Sequence, residues 1–317
     1  MKRKDLSRLL DENGVFSAIA IDQRGALKKI LKEYASENNI TSFKSLVSEI
    51  LTPYGSSILL DPEYGLEAAQ KKDDKAGLIL SYEQTGYEKE KLGRLPRLIE
   101  NQSVQRLKEV GADAIKILVY YDPDESNEIN DIKKAFVERV GTECEAEELP
   151  FLLEILTYDK DIKEEKGSEF AKLRPNKVIR AMSLFSESRY KVDVLKVETP
   201  VNMNYVEGLG DKKAIYTQKE ASQYFKEQEN STNLPYIFLS GGITADLFNK
   251  SLKFARDSGS RFNGVLCGRA TWKGATEALI TNGWETSKKW LIEEGLQNLK
   301  ALNEVNQINA TPIKQIK

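Results

Sequence analysis

Histidine is absent from all 317 residues of this chain. That removes imidazole general acid–base catalysis, Ser-His-Asp triads and the common zinc sites in one step. Any chemistry must run on Lys, Asp, Glu, Tyr, Cys or a carboxylate-bound metal. Cysteine is scarce. Cys144 and Cys267 stand without CxxC spacing and give no disulfide framework, so a reducing cytosol is the natural setting. Net charge is only −2, with no basic or acidic block, which argues against nucleic acid or a membrane surface as the main partner. The basic opening "MKRKDLSRLLDENG" is interrupted at Asp5 and Asp11 before any apolar stretch. No run reaches the roughly 18 apolar residues that a bilayer span needs, so neither a signal peptide nor a membrane helix is expected. Pro/Gly/Ser-rich linkers and low-complexity tracts are also missing, and one domain spanning 1–317 is the expectation.

What the chain does have is a rhythm. Hydrophobic residues make up 40%, enough for a large core, and they gather into eight strand-length runs. These are "VFSAIAID", "GSSILLD", "GLILSYE", "ADAIKILVYY", "PFLLEILTY", "VDVLKVETP", "YIFLSGG" and "FNGVLCGR". Near-continuous apolar character suits parallel strands buried on both faces. Helical patterns separate them. "SVQRLKEVGA" spaces Val104, Leu107 and Val110 on one face, with Gly111 as a C-terminal stop. "INDIKKAFVERVG" repeats this with Ile129, Ile132, Phe136 and Val140, and predicts a stop at Gly141. "TADLFNKSLKFARDSG" runs from a Thr cap to Gly259. Eight strands alternating with helices predict a closed (β/α)8 TIM barrel. One more helix over "TSKKWLIEEGLQNLKALNEVNQ" should pack outside it, on its own barrel or on a neighbouring subunit, which leaves a homo-oligomer open. A loose tail is expected from about residue 308.

Barrel enzymes carry their chemistry at the C-terminal ends of the strands, where alternate residues point inward. Asp22, Asp61 and Glu83 end the first three runs. Asp61 and Glu83 read equally well as loop caps, and Asp22, just before the turn of "AIDQRG", reads more readily as functional. Lys116, Glu154 and Lys196 sit in the middle of runs four, five and six, with Glu198 on the same face as Lys196. Lysine is almost never fully buried unless paired, so two of them inside apolar strands form a costly cluster. A structural ion-pair network is the bland alternative. The sharper one is chemical. Burial and a nearby cation favour a neutral amine, and a neutral amine adds to a carbonyl to give a Schiff base. On this reading Lys196 is the nucleophile, Glu154 shuttles protons, and Lys116 is the neighbouring cation.

Runs seven and eight add an anion signal. "LSGGIT" contributes Ser240, Gly241 and Gly242 ahead of a helix, and "LCGRATW" contributes Gly268 and Arg269. Barrels often bind phosphate in the loops after strands seven and eight, through backbone N–H groups and a helix N-terminus.

Taken in order, "AIDQRG", "AIKILVYY", "LLEILTY", "VLKVETP", "LSGGIT" and "VLCGRATW" resemble the tagatose 1,6-bisphosphate aldolases, a class I family. The resemblance implies a cytoplasmic, metal-free and cofactor-free Schiff-base lyase. It would cleave D-tagatose 1,6-bisphosphate to dihydroxyacetone phosphate and glyceraldehyde 3-phosphate, in the tagatose 6-phosphate route for lactose and galactose. It implies Lys196 as the Schiff-base lysine, Glu154 as acid–base residue, Lys116 as second lysine and Asp22 as the carboxylate near the cleaved bond. Gln23, Ser240, Gly241, Gly242, Gly268 and Arg269 then match substrate and phosphate contacts. Fructose 1,6-bisphosphate is a further substrate on this resemblance. Arg24 and Lys273 are candidates for the second phosphate. Three rivals remain: a Schiff-base aldolase for another sugar phosphate, a sugar-phosphate-sensing regulatory protein on the same scaffold, and a barrel isomerase using Glu154 as base.

Overall fold

The computed structural model describes residues 4–84 and 92–313. Eight parallel strands hydrogen-bond in chain order and the eighth closes on the first. They are β1 (Phe16–Ala20), β2 (Ser57–Leu60), β3 (Gly77–Ser81), β4 (Ala114–Tyr121), β5 (Phe151–Thr157), β6 (Val194–Val197), β7 (Tyr236–Phe238) and β8 (Gly264–Cys267). Each falls inside one of the eight apolar runs. The first helices are α1 (Gly25–Leu31), α2 (Glu37–Leu51), α3 (Leu66–Lys71), α4 (Val104–Glu109), α5 (Asn127–Ala146) and α6 (Ser168–Phe185). Then follow α7 (Gln218–Asn230), α8 (Ala245–Asp257), α9 (Arg269–Asn282), α10 (Trp284–Trp290) and α11 (Leu296–Asn309). This is a TIM barrel with additional C-terminal helix, as the rhythm predicts.

The strands divide their side chains between two cores, because successive residues point to opposite faces. Phe16, Ala18, Ala20, Leu59, Ile79, Ala114, Leu152, Val194, Ile237 and Leu266 pack together inside the barrel. Their neighbours in sequence, such as Ile19, Ile58, Ile115, Leu153 and Leu195, pack against the helices. The interior cluster also takes in Leu6, Leu9 and Ile313, from the two ends of the described chain. Ser56 Oγ and Ser57 Oγ, at the start of β2, donate to Leu9 O at 2.7 and 3.3 Å, so this segment plugs the floor.

The expected loose tail is therefore not loose where it is described. Thr311 N donates to Phe262 O at 2.7 Å and Ile313 N to Gly14 O at 2.9 Å. Ile313 packs with Leu6 and Leu9 in the apolar floor of the barrel. Residues 314–317 of that expected tail lie outside the described residues.

Gly141 needs a second correction. It does not stop a helix, because α5 runs on to Ala146. A Cβ at Gly141 would come within 2.1 Å of Tyr190 O, so this glycine permits a close approach to the segment before β6. Ile132, read as part of the buried stripe, is 44% exposed. Gly111 and Gly259 do follow helix ends with φ of 97° and 88°, and Thr244 caps α8 through its side chain.

The C-terminal helical stretch is α10 and α11 joined by a π-helical turn over Leu291–Gly295. It docks on its own barrel. Buried Asn306 donates to Phe16 O at 2.9 Å and to Ser17 Oγ at 3.0 Å. Among the described residues no helix is long and apolar enough to cross a membrane.

Candidate active site

Alternation along the strands points the candidate ionisable residues inward, with Lys116 one inward step below Glu154 in the β4–β5 register. Lys116 on β4 stands opposite Ser81 on β3, and Glu154 on β5 stands opposite Lys196 on β6. Lys196 Nζ donates to Glu154 Oε2 at 2.9 Å. Lys116 Nζ lies 2.8 Å from the same oxygen. Lys116 also donates to Asp22 Oδ2 at 2.8 Å and to Glu83 Oε1 at 2.7 Å. One ammonium thus meets three carboxylates, and one carboxylate oxygen meets two lysines. Lys116, Lys196, Glu83 and Glu154 are all buried.

The electrostatics follow from that packing. Burial alone would lower the pKa of Lys116, but Asp22, Glu154 and Glu83 outweigh it and raise it well above the ordinary value. Lys116 is a fixed cation at neutral pH. Burial pushes Asp22 and Glu154 upward, yet Lys116 and Lys196 outweigh it and hold both below the usual carboxylate range. At Glu83 burial wins and the pKa rises. One oxygen of Glu83, Oε2, is buried with no hydrogen-bond partner among the described residues. An amine in contact with a carboxylate, beside a permanent cation, can add to a carbonyl and pass its protons locally.

The loops after β7 and β8 converge beside this cluster. Gly241 and Gly242 have φ of 59° and 79°, left-handed values that favour glycine. Burial pushes the Cys267 thiol up to about 11, and Ser240, by hydrogen bonding, and the Lys196 charge both pull the other way. Ser240, Cys267 and Lys196 are thus neighbours, although Cys267 itself is a neutral thiol at pH 7. The Arg269 guanidinium reaches the paired-glycine turn, since a Cβ on Gly242 would lie 3.1 Å from its Nη2. A Cβ on Gly268 would lie 3.3 Å from Gln23 Nε2, so Gln23 closes the gap between the β1 and β8 loops. Helix α9 starts at Arg269, directly after Gly268.

All ten candidate residues therefore lie along one mouth. Others read from sequence play different parts. Asp61 is completely buried and pairs with Lys44 of α2, a structural ion pair whose carboxylate also caps the turn at Glu63 and Tyr64. Glu198 turns to Thr157 and to Arg174 of α6. Lys273 is exposed, with Glu277 Oε1 3.9 Å from its Nζ. Arg24 is buried and donates to Glu83 O at 2.6 Å, which makes it a support for the cluster rather than a free cation. Glu83 is the residue that sequence reading undervalued. Its alternation with Ile79 and Ser81 along one face was the available signal.

Fold and cluster together define a class: a (β/α)8 barrel whose mouth is organised around paired lysines and carboxylates, with a paired-glycine turn and the Arg269 guanidinium at its edge. Residues 16–274 match the family described as DeoC/LacD family aldolase, and the chain belongs to that family. It is similar to the tagatose 1,6-diphosphate aldolase of Staphylococcus epidermidis, at 52% identity covering 99% of this chain and 98% of that protein. Tagatose 1,6-diphosphate aldolase 2 of Streptococcus agalactiae matches at 52% over the same shares, and the tagatose 1,6-diphosphate aldolase of Lactococcus lactis at 50% over 98% and 97%. Among solved structures, a Plasmodium falciparum fructose-bisphosphate aldolase superposes with a TM-score of 0.73 at 14% identity, covering 96% of this chain and 93% of that one. An archaeal fructose-1,6-bisphosphate aldolase with its catalytic lysine bound as a carbinolamine gives 0.58 at 15%, covering 95% and 98%. At such identities these two share the fold.

Proposed function

We propose that this chain is a class I aldolase cleaving D-tagatose 1,6-bisphosphate to dihydroxyacetone phosphate and D-glyceraldehyde 3-phosphate. The observation that carries the reading is the contact of Lys196 and Lys116 with a single oxygen of Glu154, at 2.9 and 2.8 Å. The names of the relatives supply the substrate. Lactose and galactose breakdown through tagatose 6-phosphate, in the cytoplasm, is the setting we infer. One barrel domain carries the whole reaction.

Glu154 takes a proton from the Lys196 ammonium and frees the amine. The amine adds to the ketose carbonyl carbon, and a proton shift gives a neutral carbinolamine. Glu154 then returns its proton to the departing hydroxyl, so water leaves and an iminium forms. Now a carboxylate again, Glu154 removes the proton of the C4 hydroxyl. The C3–C4 bond breaks, its electron pair moves to the iminium as an enamine, and the aldehyde departs. Protonation at C3 restores the iminium, and water hydrolyses it to release dihydroxyacetone phosphate. Lys116, held as a cation by three carboxylates, polarises a substrate hydroxyl without giving up its proton. Asp22, ionised and paired with Lys116, faces the bond that breaks. Ser240, Gly241, Gly242, Gly268, Arg269 and Gln23 hold the phosphate on the carbon next to the carbonyl.

Borohydride trapping with tagatose 1,6-bisphosphate in EDTA, followed by peptide mapping, tests this. A reduced adduct on Lys196 with loss of activity is expected. Full activity after borohydride treatment with no adduct would remove the Schiff base. An adduct on Lys116 would exchange the two lysines' roles.

A further inference from the structure

We infer that Lys166, on the loop between β5 and α6, is a phosphate ligand of this site and serves the phosphate retained on dihydroxyacetone phosphate. The inference rests on the aldolase reading and adds to it a residue that neither the strands nor the motifs announce.

Lys166 Nζ would lie 3.6 Å from a Cβ on Gly242, where Arg269 Nη2 would lie 3.1 Å from the same point. Two cations therefore face one glycine turn from opposite loops. Neither has a carboxylate partner among the described residues, whereas Arg94, Lys116, Arg174 and Lys177 do. Like charges held this close repel, and a doubly charged phosphate between them reverses the sign of that interaction. The turn beneath supplies backbone N–H groups in a left-handed conformation.

The position of Lys166 is built. Tyr205, in the loop between β6 and α7, donates its hydroxyl to Lys166 O at 3.1 Å. Glu165 is held by an ion pair with Arg94 from the segment after β3. Two anchors on consecutive residues fix the loop, and the Lys166 side chain stays exposed toward the mouth. Its neighbours also choose the phosphate. β7, which leads into the glycine turn, pairs with β6, and Lys196 stands opposite Ile237. A group bound at that turn is the one on the carbon adjacent to the carbonyl that Lys196 attacks. Tyr205 is then a positioning residue.

The test is Lys166→Met assayed in the condensation direction, with the two triose phosphates varied separately. KM for dihydroxyacetone phosphate should rise about tenfold or more, as loss of a charge-assisted hydrogen bond implies, with kcat and the KM for glyceraldehyde 3-phosphate nearly unchanged. Lys166→Arg should recover most of the affinity. Tyr205→Phe should shift the same KM in the same direction and by less. A rise confined to glyceraldehyde 3-phosphate would overturn the assignment, and so would no change in either. Wild-type enzyme run in parallel with borohydride keeps the outcomes apart. An adduct on Lys196 leaves the aldolase reading standing even where the Lys166 variant behaves as wild type.

Discussion

At the scale of single residues, the chemistry turns on Glu154 Oε2, the oxygen shared by two lysines. Glu154→Gln keeps the shape and removes both the charge and the proton relay. A fall in kcat of about 10²–10⁴ is expected, with a smaller change in KM. The same variant reports on stability. Asp22 and Glu154 are held below their ordinary values of 3.8 and 4.5, against the push of burial, by Lys116 and Lys196. Their contribution to stability is therefore present above about pH 4 and lost as pH falls through the lowered folded values. Glu83, raised by burial, has the opposite sign: its share is present in acid and lost as pH rises through its folded value. Urea midpoints measured from pH 7 down to pH 3 should fall, and fall less steeply in Glu154→Gln. Equal slopes would mean the cluster is not linked to folding. These residues were legible because a charge inside an apolar run is visible without a structure. Lys44 was not, because it lies in a mixed helical stretch where a charge looks solvated, and only Asp61 beneath it gives it a purpose. Lys166 sits in a polar loop and carries no pattern.

At the scale of elements, Gly141 is the instructive case. By intrinsic propensity Gly→Ala inside α5 should stabilise by about 1 kcal/mol. The Cβ would instead meet Tyr190 O at 2.1 Å, a backbone atom that cannot turn aside. Gly141→Ala should destabilise by about 1–3 kcal/mol, read as a lower urea midpoint. A higher midpoint would show that the segment before β6 yields. A glycine after an amphipathic stretch has the same appearance whether it ends the helix or lets another chain segment press against it, and one sequence does not separate the two. The strands were plain because burial on both faces leaves a continuous apolar run. Their ends were not, since the runs continue into the loops that hold Asp22, Glu83 and Ser240.

At the scale of the whole molecule, the barrel is worked at one end and sealed at the other. Ile313 belongs to the floor cluster, which lies below Lys196 along β6. Ile313→Ala should cost about 2 kcal/mol or more and lower Tm, while KM for the sugar bisphosphate stays as in wild type. A change in KM would mean that floor and mouth are coupled. The sealing segment escaped the sequence reading because the isoleucines of "INATPIKQIK", five and three residues apart, show no steady period.

The floor has a consequence for connectivity. Residues Leu6, Leu9 and Ile313, from the first and last described segments, pack in one cluster. A closed ring of eight strands has no intrinsic first member, and here the first and last described segments pack together beneath it. A bridge from the Ile313 segment to the Leu6 segment, with a new break in an exposed helix–strand turn, should leave neighbouring strands, register and mouth as they are. The order in which the polymer is written is, for this barrel, largely separable from the ring it forms.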